Sequence, residues 1–146
     1  MKTILINKES GENKEYSNQS VAEFLFKNLD QFGDKLEFIS KAIEYAMNPA
    51  KGGFLLIGTE ADEIVGAVVV NKTGMDGYIP SNILVYIAVR SDQRGKGVGK
   101  KLMQGAMANT IGGIALHVEP DNPAKKLYEK LGFTNKYLEM RYQPSN

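Results

Sequence analysis

Residues 83–101 read ILVYIAVRSDQRGKGVGKK: an apolar run, then Arg90-Ser91-Asp92-Gln93, then Arg94-Gly95-Lys96-Gly97-Val98-Gly99-Lys100-Lys101. Ile83 to Val89 has strand length and almost no polar interruption, which predicts a strand covered on both faces in the middle of a sheet. The glycine segment then opens a helix with Val98, Leu102, Met103, Ala106 and Met107 on one face. Strand, glycine loop, helix is an α/β order. Five cations, Arg90, Arg94, Lys96, Lys100 and Lys101, stand against one acid, Asp92. Three glycines at alternate positions let backbone N–H groups converge on a ligand. The positive end of the following helix adds about 0.3–1 kcal/mol for an exposed anion. A phosphate-type anion suits such a junction.

Two named phosphate loops can be tested directly. A nucleoside-triphosphatase loop needs Gly, four residues, then Gly-Lys-Ser/Thr, but Gly99-Lys100 is followed by Lys101 and position 94 is Arg. That reading fails. A dinucleotide fingerprint needs Gly-x-Gly-x-x-Gly, and Gly95-Lys96-Gly97-Val98-Gly99 brings its third glycine one residue early, although Glu119 follows about 20 residues on. That reading stays open.

Working outward, Ser20 and Glu23 form a capping-box pair ahead of Phe24, Leu25 and Leu29, which predicts a first helix after an N-terminal strand and polar loop. Leu36, Ile39, Ala42, Ile43, Ala46 and Met47 form the stripe of a second helix, stopped at Asn48-Pro49. Phe54–Ile57 and Ile64–Val70 read as a hairpin around Glu60-Ala61-Asp62-Glu63. The loop from Asn71 to Pro80 carries Met75, Tyr78 and Ile79, more apolar surface than a connector needs. Downstream, Ile114–Val118 reads as a strand. Asn122 and Pro123 cap and open a further helix striped by Ala124, Leu127, Tyr128 and Leu131, and Gly132 is its left-handed stop. Phe133–Tyr142 reads as a final strand. With no repeat, linker or low-complexity segment, residues 1–146 are expected to form a single domain.

Composition narrows the chemistry. Eighteen Lys and Arg against seventeen Asp and Glu leave a net charge of +1, too balanced for a protein that grips a nucleic-acid backbone. Cysteine is absent, which excludes disulfides, thiolate metal sites and a cysteine nucleophile, and fits a reducing compartment. The single histidine, His117, excludes a multi-histidine metal site, so no metal is expected. Apolar runs such as Ile64–Val70 are too short for a membrane span, and a soluble, cytoplasmic protein is expected.

Arg94-Gly95-Lys96-Gly97-Val98-Gly99 resembles the Arg/Gln-x-x-Gly-x-Gly/Ala loop of the GNAT-type N-acetyltransferase superfamily, and Asn122-Pro123 through Gly132-Phe133 is similar to its second cofactor motif. Both occur in the family's order. The likeness is close over Ile83–Phe133, loose over Phe54–Val70, and limited to layout in the first fifty residues. It implies a GNAT-like α/β fold: a mixed, mostly antiparallel sheet of six or seven strands with helices on both faces. It also implies acetyl-CoA as donor. The diphosphate would lie on Arg94, Gly95, Lys96, Gly97, Val98 and Gly99, with Lys100 nearby, and the pantetheine arm along Ile87, Ala88 and Val89. Asn122 would contribute a cofactor hydrogen bond besides its cap.

Acetyl transfer to an amine needs a free amine, a stabilised carbonyl oxygen and a proton for the departing thiolate. Tyr128 matches the family's general acid, while a plain reading packs it on its helix stripe. Many family members carry a glutamate on the cofactor strand as base, and Ile83–Val89 has none. Glu119 is the first candidate, His117 the second, and Tyr86 a water-positioner. Phe38, Glu44, Tyr45, Met75, Asp76 and Tyr78 are candidates for an acceptor pocket. The acceptor is expected to be a small-molecule or peptide amine, with no nucleic-acid or membrane partner and a homodimer left open. The missing strand carboxylate supports an alternative, a non-catalytic sensor of CoA or a nucleotide.

Overall fold

The computed structural model describes residues 1–145. They form two compact units, 1–116 and 117–145 as far as described. The first unit is built on a five-stranded sheet: β1 (Lys2–Ile6), β2 (Gly53–Glu60), β3 (Glu63–Lys72), β4 (Asn82–Val89) and β5 (Ile114–Leu116). Strand order follows chain order. The first three pairings are antiparallel, and β4 pairs with β5 in parallel. The parallel pair requires a crossover, supplied by helix α3 (Val98–Ala108).

Alternation along β2 and β3 sends side chains to both faces, and each face has its own cover. Leu55, Ile57, Ala67 and Val69 pack into one cluster with Val21 and Leu25 of α1 (Asn18–Asn28) and Ile39, Ala42, Ile43 and Ala46 of α2 (Leu36–Met47). On the opposite face, a Cβ at Gly66 would stand 2.5 Å from Leu102 and 3.1 Å from Val98, and one at Gly105 would stand 2.7 Å from Leu56. Glycine at these positions lets α3 seat closely on the sheet. Helices therefore flank both faces.

The β2–β3 turn is the two-residue Ala61-Asp62, with φ of +49° and +63°. Two left-handed residues match a type I′ hairpin, whose twist follows that of the strands. The first helix starts earlier than the Ser20–Glu23 pair predicts. Ser17 is the cap and accepts from Ser20 N at 3.1 Å, while the Ser20 hydroxyl donates back to Ser17 O at 2.7 Å.

In the second unit, helix α4 (Ala124–Lys130) ends as its sequence predicts. Gly132 takes φ of +99°, Phe133 N donates to Tyr128 O at 3.0 Å and Gly132 N to Glu129 O at 3.1 Å, a Schellman closure. The six- or seven-strand expectation is corrected to five among the described residues. Ile114–Val118 is strand only to Leu116, and Phe133–Tyr142 forms no strand. Leu138, Met140 and Tyr142 alternate as a half-buried strand would, yet they are 84%, 90% and 88% exposed. Strand propensity is realised through packing on neighbours, and this segment has no ladder partner.

Candidate functional site

The two edges of β4 are used unequally. Against β3 it pairs along its whole length, with one irregularity: Val69 faces Tyr86 and Val70 faces Leu84, so Val85 is an extra residue, a β-bulge. Against β5 it pairs only over Asn82, Ile83 and Leu84. The bulge and the end of the parallel ladder coincide. Within residues 1–116, the backbone edge from Val85 to Val89 has no strand beside it. Ile87, Ala88 and Val89 lie on this stretch; Ala88 is buried toward α1 and α2, while Ile87 and Val89 are half-buried. β4 is thus half interior and half open, where its apolar run predicts an interior strand throughout.

Beyond β4, a 3₁₀ turn (Ser91–Gln93) and the turn 94–97 lead into α3. Gly95 and Gly97 have φ of +78° and +83°, and a Cβ on either would meet nothing within 4 Å. Gly97 is the cap residue, and no side chain caps the helix. The first helical N–H groups, of Val98, Gly99 and Lys100, therefore have no intrahelical acceptor; the helix's own bonding begins with Lys101 N to Gly97 O at 3.1 Å. The result is an open, N–H-rich helix start with no neighbour packed against Gly95 or Gly97. Among the described residues, no carboxylate lies at ion-pair distance from Lys96 or Lys100. Both are exposed. The donor set of this cradle, unpaired N–H groups flanked by unpaired cations, fits a diphosphate.

The two arginines of the stretch are engaged elsewhere. Arg90 pairs with Asp92 at 2.6 Å and Glu63 at 3.4 Å. The Arg94 guanidinium donates from Nε to Val89 O at 2.9 Å and from Nη2 to Asn28 O at 3.0 Å, and pairs through Nη1 with Asp30 at 2.9 Å.

In the second unit, Tyr128 is 7% exposed and its ring lies 6.1 Å from that of Phe133, centroid to centroid. Burial pushes its phenol up to about 12, so it is protonated throughout the physiological range. Asn122 accepts from Ala124 N at 2.9 Å through Oδ1, the side-chain cap expected of it. Glu119 is exposed and accepts from Asn122 N at 2.9 Å through its carbonyl. His117 is exposed, with Nδ1 4.0 Å from Glu139, which also pairs with Arg141.

The acceptor-side residues expected from sequence are not gathered into one pocket. Tyr45 donates to Lys72 O at 2.6 Å beneath Lys51, and Phe38 lies under Lys35 and Lys41. The 72–81 loop closes on itself, with Thr73 Oγ1 donating to Pro80 O at 2.7 Å and Ser81 Oγ to Asp76 at 3.3 Å. The structure instead brings forward two carboxylates that sequence reasoning missed. Asp34 accepts from the Tyr86 hydroxyl at 2.9 Å. Burial and that carboxylate hold the Tyr86 phenol well above its ordinary value. Asp30 and Asp34 line, with Phe26, Gly33 and Lys35, a cavity of about 460 Å³. Their only trace in the sequence is a carboxylate pair flanking Gly33 between two helices, and their partners lie more than 50 residues away.

A parallel ladder that ends beside a glycine-lined, cationic helix start is the arrangement that this α/β domain presents. Residues 51–135 match the family model described as the acetyltransferase (GNAT) domain, and the chain belongs to that family. Solved structures agree in fold. The chain is similar to a possible acetyltransferase from Clostridium difficile 630 (18% identity, 99% of each chain, TM-score 0.68). It also resembles an aminoglycoside N-acetyltransferase in complex with CoA (16%, 99% of this chain and 95% of that one, TM-score 0.67). A third is ribosomal-protein-alanine N-acetyltransferase from Brucella melitensis biovar Abortus 2308 (17%, the whole of both chains, TM-score 0.62). No curated protein matches significantly. Among the described residues, no helix is long and apolar enough to cross a membrane.

Proposed function

We propose that the chain transfers an acetyl group from acetyl-CoA to a primary amine by direct attack, with Tyr128 as general acid. The observation that carries this reading is the open half of β4 leading, through a turn whose Gly95 and Gly97 have nothing packed on them, into a helix start with no side-chain cap and two unpaired lysines. When bound, the donor supplies an activated thioester. The N–H groups from Gly95 to Gly99 hold its diphosphate, and Lys96 and Lys100 add charge. The unpaired edge at Ile87, Ala88 and Val89 offers backbone groups to an extended arm bearing amides, as a sheet edge does to an added strand. Backbone N–H near Val89 stabilises the carbonyl oxygen as charge develops on it.

Tyr128 holds a proton for the departing thiolate. With the phenol at about 12 and a thiol near 8.5, full transfer is uphill by about 3.5 units, roughly 5 kcal/mol. Tyr128 therefore acts first as a hydrogen-bond donor, and the proton passes only as the thiolate leaves. Glu119 draws a proton from the incoming ammonium through water, with His117 as the other candidate. The acceptor class, a small-molecule or peptide amine, is supported by similarity in fold to an aminoglycoside and a ribosomal-protein-alanine acetyltransferase.

Thiol release from acetyl-CoA across a panel of aminoglycosides, polyamines, amino acids and N-terminal peptides tests the reading. Turnover on at least one amine is expected. Tight CoA binding without turnover on any would favour the sensor reading, which the carboxylate-free β4 supports. Reversing Lys96 and Lys100 to Glu together should weaken CoA at least tenfold by calorimetry, because each removes an attraction and adds a repulsion. Unchanged affinity would move the phosphates away from this loop.

A further inference from the structure

Arg94 was expected to face the phosphates, but its fork meets protein acceptors in three directions, each close to 3 Å. Nε closes the 89–94 turn onto the last residue of β4. Nη2 reaches a carbonyl at the C-terminal end of α1, where unsatisfied carbonyls and the negative helix end favour a cation. Nη1 takes the carboxylate of Asp30, a residue at φ of +54°. Left-handed backbone at a non-glycine residue is uncommon and is maintained where surrounding contacts hold it. Four residues on, Asp34 is bound to Tyr86, on the open half of β4. The α1–α2 connection is thus fastened twice to the strand that leads into the glycine loop. The loop itself is open, with glycines at 95 and 97 that nothing packs upon.

We infer that Arg94 is a positioning residue that makes the glycine loop and the α1–α2 connection one cooperative unit, so that donor occupancy of the loop orders residues 29–35 and the cavity they line. The inference rests on reading residues 94–99 as the donor cradle. A ligand that fixes the loop removes motion from a segment tied to it, and a site on that segment then binds its own ligand at lower entropic cost. Lysine cannot replace arginine in this role, since a single ammonium cannot reach three acceptors in a fixed fork.

Amide hydrogen exchange with CoA as the probe tests this without knowledge of the acceptor. Two groups of amides report: Phe32, which donates to Leu29 O, with Lys35, which donates to Asp34, and the helix start at residues 98–101. In the wild-type protein, saturating CoA should slow exchange at least fivefold in both groups. In Arg94→Lys, slowing at 98–101 should persist while that at Phe32 and Lys35 falls below twofold. Asp30→Gly, which keeps the left-handed backbone but removes the carboxylate, should behave alike, so the test does not depend on one variant's folding. Wild-type slowing confined to 98–101, or wild-type slowing at Phe32 and Lys35 retained in both variants, would overturn the coupling. No slowing at 98–101 in any protein would instead overturn the donor-cradle reading. A merely structural role for Arg94 would lower the melting temperature without changing the response to CoA.

Discussion

At Tyr128 packing and chemistry compete for one side chain. Its ring lies against Phe133 and completes the closure of α4, so the plain reading as a buried aromatic is correct as far as it goes. Burial also raises the phenol to about 12, above its ordinary value near 10. The native state therefore retains the proton more strongly than the unfolded chain. Its contribution to stability is complete below about pH 10 and is lost as the pH rises through about 12. Phenolate absorbance followed against pH should place the Tyr128 transition near 12, and turnover should show no alkaline limb from this residue below that. Tyr128→Phe should lower turnover by about 10² to 10⁴ with CoA affinity within threefold. An unchanged rate would leave Tyr128 with packing alone. Residue type and helical spacing made this position legible; the Arg94 contacts were not, because an arginine beside glycines reads as a phosphate ligand until its carbonyl partners are known.

Among the elements, those whose signals are local were the most readable. The α4 cap at Asn122 and stop at Gly132 stand as the sequence indicates, because capping chemistry is decided within a few residues. The 20–23 pair misled by one turn, since Ser17 offers an equivalent hydroxyl three residues earlier. The β2–β3 hairpin was legible as a hairpin, but its turn is built from residues poorly suited to it. Ala61 lacks the side chain that eases a left-handed backbone in Asn and Asp, and Glu60 and Glu63 pair across the turn with like charge. Replacing Ala61-Asp62 by Asn-Gly should stabilise the domain by about 1 kcal/mol and raise Tm by about 2–5 °C in a thermal melt. A lower Tm would show that the turn is held by contacts beyond its own backbone.

For the molecule as a whole, length, pattern and motif order sufficed for an α/β fold with a glycine-loop crossover, because burial on both sheet faces leaves a periodic trace. The strand count was not legible. A ladder is a long-range property, and the 133–142 segment has strand composition without a partner. With Tyr137, Leu138, Met140 and Tyr142 exposed and no backbone ladder, this segment should be where limited chymotrypsin cuts first, as mass spectrometry of the fragments would show. A first cut within residues 1–116 would contradict this. The open half of β4 was equally invisible to pattern, since a run of apolar residues looks the same whether one edge or two are occupied.

The bulge at Val85 gives this last point its consequence. Because Leu84 and Tyr86 already face opposite sides of the sheet, as their partners Val70 and Val69 do, excising Val85 would leave every other side chain on its present face. The shortened strand would be straight and free to zip further along its neighbour. Val85 also packs on the core, so such a deletant is expected to melt earlier in a thermal scan while its seam seals and its uptake of CoA by calorimetry falls, and a single residue thus trades a little sturdiness for receptivity.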